Sequence, residues 1–306
     1  MLLGVEKPST RVEYREEPCR SALNRVRGMP FDWSLNPYMG CVHRCTFCYV
    51  RGFEQRADRP ADDRYGTSIR VKVNVAEVLT CELQRRSFRD TTVAIGAATD
   101  PYQPAEGRYR LTRGCLEALA AAAVPFSIIT RSPLIVRDVD VLAEASRRAD
   151  VSVTFSVPTL DENVWRSTEP GTAPPRQRLR ALSVLVSAGV RASVGMAPIL
   201  PGLSDRPEQL AEVVRAAHAA GACGVWANVL YLKPGTREHF LSHLADDWPE
   251  LLPEYERLYA GRSFAPRRET APTLDAVRQL ARFHGVRGGR ASLPRPPESD
   301  RQLSLL

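Results

Sequence analysis

The chain has 306 residues, a formal net charge of +7, 43% hydrophobic and 25% charged residues, the balance of an ordinary folded soluble chain. Its length suits one α/β barrel, no run nears the ~18 apolar residues of a membrane span, and the opening MLLGVEKPSTRVEYREEP lacks a secretory apolar core. A cytoplasmic protein with no membrane partner is expected. Seven cysteines, clustered once and otherwise scattered, do not suggest a disulfide framework. Cys81, Cys115 and Cys223 read as small buried hydrophobes. The basic residues are almost all arginine, with lysine only at Lys7, Lys72 and Lys233. Such a balance is compatible with a nucleic-acid partner, but the arginines are spread along the chain and form no basic block.

In chain order, Asp32–Leu35 is the first expected strand, running into a cysteine-rich loop. Arg51–Ser68 is a polar connection with little expected regular structure. Asn74–Ser87 has helical spacing with Asn74 as its cap. Thr92–Gly96 is the second strand, Thr112–Ala122 a helix capped by Thr112, and Phe126–Thr130 the third strand. A helix over Arg137–Ala149 precedes a strand over Val151–Val157. A helix over Pro175–Ala188 precedes a strand over Arg191–Met196, and a helix over Arg206–Ala220 a last strand over Val225–Val229. The strands read as continuous apolar runs, as expected when both faces of a parallel sheet are covered. Beyond Pro234 the alternation gives way to helices over His239–Ala245, Glu254–Ala260 and Thr273–His284. The tail from Arg287 has the composition of a disordered end. This divides the chain into an N-terminal extension (1–29), an α/β unit (30–235), a helical C-terminal extension (236–286) and a tail (287–306).

The chemistry lies in NPYMGCVHRCTFCYV. Cys41, Cys45 and Cys48 present three thiols in eight residues with no fourth nearby. Three thiolates can hold an iron–sulfur cube by three corners, leaving the fourth iron open, whereas a pure electron carrier normally closes all four. Zinc is the competitor, but it usually takes its ligands as two separated couples. His43 reads as a solvent-facing loop residue or a cluster neighbour rather than a ligand. A fourth thiol from Cys19, Cys81, Cys115 or Cys223 has no local signature to support it.

CVHRCTFC followed by the strand–helix alternation resembles the radical S-adenosylmethionine (SAM) superfamily, over roughly residues 30 to 235. The resemblance implies a partial (β/α)6 radical SAM barrel, a [4Fe–4S] cluster and SAM as cofactors. It also implies reductive cleavage of SAM to a 5′-deoxyadenosyl radical that abstracts hydrogen from a substrate. An electron donor such as flavodoxin or ferredoxin would then be a partner. Four ordered blocks, NPYMGCVHRCTFCYVRG, ATDPYQPAEGRYRLTRGCLEAL, IITRSPLIVRDVDVL and VTFSVPTLDENVWRSTEPGTAPPRQRLRAL, are similar to the group related to spore photoproduct lyase. That group brings DNA, or a nucleic-acid base, among the candidate substrates.

By the same resemblance, Thr99 and Asp100 would meet the SAM amino end. Arg131, where the group commonly has Lys, would contact its carboxylate. Ser156 would touch the ribose or methionyl part, and Phe47 would pack near adenine. From chemistry alone, Asp100 can equally cap the Asp-Pro turn, Arg131 lie at the surface, Ser156 cap a turn and Phe47 serve loop packing. Tyr49 and Tyr102 are candidate hydrogen donors or substrate contacts. Asn36–Pro37–Tyr38 sets the entry turn of the loop. The lyase's hydrogen-donating cysteine near the end of the second strand has no counterpart in Gly96–Ala97–Ala98–Thr99, so its repair reaction does not transfer directly. The alternative is a non-catalytic nucleic-acid-binding protein with a structural metal cluster.

Overall fold

All six expected apolar runs form strands and pair side by side in sequence order. The computed structural model describes residues 12–84 and 91–287. Its strands are β1 (Glu13–Glu17), β2 (Leu23–Arg25), β3 (Trp33–Leu35), β4 (Tyr38–Met39), β5 (Ser68–Lys72), β6 (Val93–Ile95), β7 (Phe126–Thr130), β8 (Val151–Ser156), β9 (Arg191–Ile199) and β10 (Gly224–Val229). The main sheet runs β10-β9-β8-β7-β6-β3-β2, with β3 and β6 to β10 parallel and β2 antiparallel on the edge. The register sets Val93 beside Phe126, Phe126 beside Val151 and Val153 beside Ala192. The sheet stays open, as a partial barrel requires.

The helices are α1 (Arg51–Arg56), α2 (Val75–Leu83), α3 (Ala105–Tyr109), α4 (Leu111–Ala121), α5 (Val139–Arg148), α6 (Glu162–Thr168), α7 (Pro175–Ser187), α8 (Pro207–Ala219), α9 (Thr236–Asp247), α10 (Leu252–Leu258) and α11 (Arg267–Phe283). Helices α7 and α8 each give one apolar face to the main core, through Leu179, Leu182 and Leu185 on α7 and Leu210, Val213 and Val214 on α8. Crossing helices of this kind let parallel strands follow one another.

Several expectations are corrected. The N-terminal extension is part of the fold: β1 pairs in parallel with β5, and β4 covers the other side of β5 in a second small sheet. The polar connection contains α1 and ends in β5, and the short helices α3 and α6 were not anticipated. Asn74 does not cap α2. Its side chain is drawn off to the backbone N–H and carbonyl of Cys19, at 2.7 and 3.1 Å. Thr112 lies inside α4 with its hydroxyl donating to the Pro101 carbonyl, and the Glu106 carboxylate accepts from the N–H groups of Thr112 and Arg113 instead. Cys115 is buried as expected, but Cys81 and Cys223 are exposed because they fall on outward helix and strand-entry positions. Residues 288–306, nearly all of the expected tail, and 85–90, at the end of the expected second-strand helix, lie outside the described residues.

The C-terminal helices do two jobs. Helix α11 lies against β10 and α8, contributing Val277 and Ala281 to the main core. Helices α9 and α10 build a second core in which Phe240, Leu244, Tyr255 and Tyr259 pack with Cys45 and Phe47. The helical extension therefore backs the cysteine loop.

Candidate active site

The cysteine loop is clamped from three directions before any metal is considered. Thr99 at the end of β6 donates its hydroxyl to the Gly40 carbonyl at 2.7 Å. Gln103 donates its side-chain amide N–H to both Thr99 and Gly40 and accepts from the Val42 N–H. Asn36 ties the entry turn to the same strand end by accepting from the Ala98 N–H at 2.9 Å. On the other side, the Thr46 N–H donates to the Thr168 carbonyl and the Gly171 N–H to the His43 carbonyl. From the C-terminal extension, Thr236 donates to the Cys48 carbonyl at 3.1 Å.

Two glycines let other chain segments press on the loop. A Cβ at Gly66, which has φ +80°, would stand 2.3 Å from the Cys41 carbonyl oxygen. A Cβ at Gly171 would stand 2.3 Å from the Val42 oxygen and 2.8 Å from the His43 Cα. Both are far inside van der Waals contact, so the backbones meet only because side chains are missing.

Each cysteine has a cation of its own. Cys41 is paired with His43, which lies between that thiol and Asp100. Cys45 feels Arg131, and Cys48 feels Arg51. Burial pushes the Cys45 and Cys48 thiols up despite these charges, whereas at Cys41 the adjacent imidazolium outweighs burial and pulls the thiol down. His43 is buried rather than solvent-facing, which corrects one reading of it. Burial opposes its charge, but Cys41 and Asp100 outweigh that and raise it to about 10.

Arg51 was not anticipated. Its guanidinium is buried, donates to the Ala61 and Asp62 carbonyls at 2.7 Å, and stacks 4.7 Å above the Tyr65 ring. The Tyr65 hydroxyl lies 3.7 Å from the Cys48 sulfur. Arg131 sits over Phe47 at 5.6 Å and pairs with Glu169 at 3.4 Å, while Glu169 is also held by the wholly buried Arg178. Arg178 in turn donates to the Ser156 carbonyl, fixing the end of β8. Glu169 and Arg178 were also missed as individual residues, although both stand in the block STEPGTAPPRQRLRAL.

Thus Phe47 packs with Cys45, Thr99 and Asp100 hold the loop from beyond β6, Arg131 faces Cys45 from the end of β7, and Ser156 closes β8 with its carbonyl held by Arg178. Asp100 is fully engaged within the protein. One oxygen accepts from the Thr130 hydroxyl and the Tyr102 N–H, the other from the Arg131 N–H and faces His43 at 3.4 Å. A carboxylate offers about four acceptor positions, and all are used. Asp100 therefore caps its turn and anchors the loop.

The tyrosines part company. Tyr49 sits at the mouth, its hydroxyl donating to the Ala97 carbonyl and its ring 6.1 Å from that of Tyr231 beyond β10. Tyr102 is not brought to the site: its ring belongs to the main core and its hydroxyl is buried.

The residues fit a cluster held by three thiolates. Cys41, Cys45 and Cys48 are buried or half-buried on one loop. The remaining cysteines offer no fourth ligand: Cys115 lies in the main core, Cys19 packs against it, and Cys81 and Cys223 are exposed. Soft thiolates with neighbouring buried cations suit an anionic iron–sulfur group.

The model of the Radical SAM superfamily matches residues 35–214. An uncharacterized protein of Mycobacterium tuberculosis is 38% identical over 295 residues, covering 95% of this chain and 86% of its own. A radical SAM Nalpha-GlyT isomerase of Pseudomonas phage M6 is 28% identical over 173 residues, 55% of this chain and 33% of that one. Among solved structures, a spore photoproduct lyase with bound AdoMet and dinucleoside spore photoproduct superposes with a TM-score of 0.67 at 17% identity, covering 89% of this chain and 79% of that chain. That likeness carries the fold. The family model, spanning the cysteine loop and four of the six parallel strands in full, places the chain in the radical SAM superfamily.

Proposed function

We propose that the protein is a radical SAM enzyme acting on a nucleic-acid base. Cys41, Cys45 and Cys48 would hold a [4Fe–4S] cluster and leave one iron for SAM. When bound and reduced, that group supplies the electron that splits SAM into methionine and a 5′-deoxyadenosyl radical. The chain's own residues then bind and orient. Arg131, held by Glu169 and stacked on Phe47, offers a guanidinium to the SAM carboxylate. Thr99 and Asp100 hold the loop on which SAM must sit, and Ser156 lines the end of the neighbouring strand. An electron donor of flavodoxin or ferredoxin type is required as partner.

A row of aromatic rings supports the substrate class. Phe53, Tyr49, Tyr231 and Phe264 follow one another with centroid separations of 5.7, 6.1 and 5.4 Å, and Phe264 is 61% exposed. They lie beside the ends of β6 and β10, where strand ends open the mouth. Exposed rings beside arginines are what unstacked bases use, each stacked base adding about 1–3 kcal/mol. A base in a duplex would have to be extruded to reach a buried radical. The solved structure with bound dinucleoside spore photoproduct points in the same direction.

The test is anaerobic reconstitution followed by dithionite and SAM, with 5′-deoxyadenosine measured by chromatography. Absence of 5′-deoxyadenosine from protein carrying a full cluster overturns the enzymatic reading. The substrate class is tested separately with single-stranded oligonucleotides: Phe264→Ala and Tyr231→Ala should weaken binding, and unchanged affinity in both would remove the support the rings provide.

A further inference from the structure

Helix α9 carries His239 and His243 one turn apart, and both rings turn to the same side, 4.3 Å between centroids. Opposite them stands Asp63, from the connection between α1 and β5. Its carboxylate lies 3.8 Å from His239 Nδ1 and 3.7 Å from His243 Nε2. The three donor atoms all fall within 4.8 Å of one another. We propose that Asp63, His239 and His243 form a second metal site, for a zinc-class divalent ion, separate from the cysteine loop.

The hydrogen bonding sets the right nitrogen free. His243 Nδ1 lies 3.1 Å from the His239 carbonyl and donates to it, which leaves the Nε2 lone pair facing Asp63. Backbone carbonyls fix the tautomer of metal-bound histidines in this way. His239 is almost wholly buried, and burial first, then Arg51 and His243, hold its ring neutral, as a ligand must be. Arg51 faces this pair as a cation, and Asp63 and Asp62 oppose it.

Tetrahedral bonds of about 2.0–2.1 Å put neighbouring donors about 3.4 Å apart. The two histidine–carboxylate spacings need to close by only a few tenths of an ångström, and Asp63, with its side chain 85% exposed, is free to swing in. Two imidazoles and one carboxylate leave a coordination position for water or for a group on another molecule.

The ion would join two segments that flank the cysteine loop. Asp63 lies two residues before Tyr65, which faces the Cys48 sulfur. Three residues before His239, Thr236 donates to the Cys48 carbonyl. A metal bridging Asp63 to α9 would therefore pin the exit side of the loop, which gives the site a structural task.

The experiment uses protein with its iron–sulfur cluster reconstituted, so that the cysteines are occupied. After dialysis against a chelator and then micromolar free zinc, wild type should hold one zinc per chain in addition to its iron. Asp63→Asn and His243→Gln should each weaken zinc binding by roughly tenfold or more with iron content unchanged. Zinc should also raise the melting temperature of wild type and not of either variant. No zinc in wild type, or equal zinc in wild type and both variants, would overturn the site. Asp63 is exposed, so its variant reports on coordination rather than on folding.

Discussion

His43 Nδ1 and Asp100 Oδ2 stand 3.4 Å apart in a pair almost wholly inside the protein, joining the cysteine loop to the ends of β6 and β7. Asp100 reaches across to Thr130 and the Arg131 N–H as well, so one carboxylate holds three segments in register. Replacing it by Asn keeps the size and removes one of the two charges, its own and that of Cys41, that hold His43 cationic. Removing one partner of a buried pair costs about 3–5 kcal/mol. Asp100→Asn is therefore expected to lower the melting temperature and the iron retained after reconstitution together. If Asp100 acted only on the SAM amino group, SAM affinity would fall while melting and iron content stayed at wild-type values.

Glu169 neutralises two arginines, Arg178 beneath it and Arg131 at the site. Burial pushes its carboxyl up, but Arg178 and then Arg131 outweigh that and hold it below its ordinary 4.5. A carboxyl with a lowered folded value contributes stability that is present above 4.5 and lost as pH falls through the folded value. Glu169→Gln should destabilise by about 3–5 kcal/mol at neutral pH, because Arg178 is left charged and buried. Urea unfolding at descending pH should show the gap between wild type and variant closing below pH 4.5. A gap of constant size across that range would refute the linkage.

The parallel strands could be read from the chain either as a fully buried apolar run, such as Val93–Ile95, or as a short alternation with its apolar residues buried, such as Val151–Phe155. The cysteine loop was legible for a chemical reason: few arrangements need three thiols so close together. The small sheet was not, since β1 meets β5 across more than fifty residues and its residues are half exposed. Glu169, Arg178 and Arg51 were missed because charged residues are usually at the surface, and only the fold shows them paired inside. Tyr102 and Tyr49 look alike in sequence, and only the fold separates core from mouth.

Gly171 tests how tightly the loop is boxed in. An added methyl group would run into the Val42 carbonyl and the His43 backbone, neither of which is the end of a flexible side chain. Overpacking of this kind costs about 1–3 kcal/mol and is relieved here only by moving the loop. Gly171→Ala should therefore lose iron on desalting faster than wild type, whereas Gly107→Ala, with open space around it, should not. Equal iron loss in the two variants would mean that the loop yields freely.

Tyr49 places its hydroxyl on the Ala97 carbonyl, within the Gly96–Thr99 stretch that lacks the thiol expected of the repair lyase group. Burial pushes the Tyr49 hydroxyl well above its ordinary range, so it keeps its proton at neutral pH. A protonated phenol at the mouth can return a hydrogen atom to a substrate radical, the task a cysteine has in that group. Tyr49→Phe removes this O–H and leaves the ring against Phe53 and Tyr231. The variant should still cleave SAM at close to the wild-type rate in the absence of substrate. With substrate present, it should form product more slowly than wild type, because the O–H that returns the hydrogen atom is gone. The measurement is the ratio of product to 5′-deoxyadenosine in single turnovers. A ratio unchanged from wild type would assign the hydrogen to SAM-derived species instead, and Tyr49 would then serve only to position the substrate.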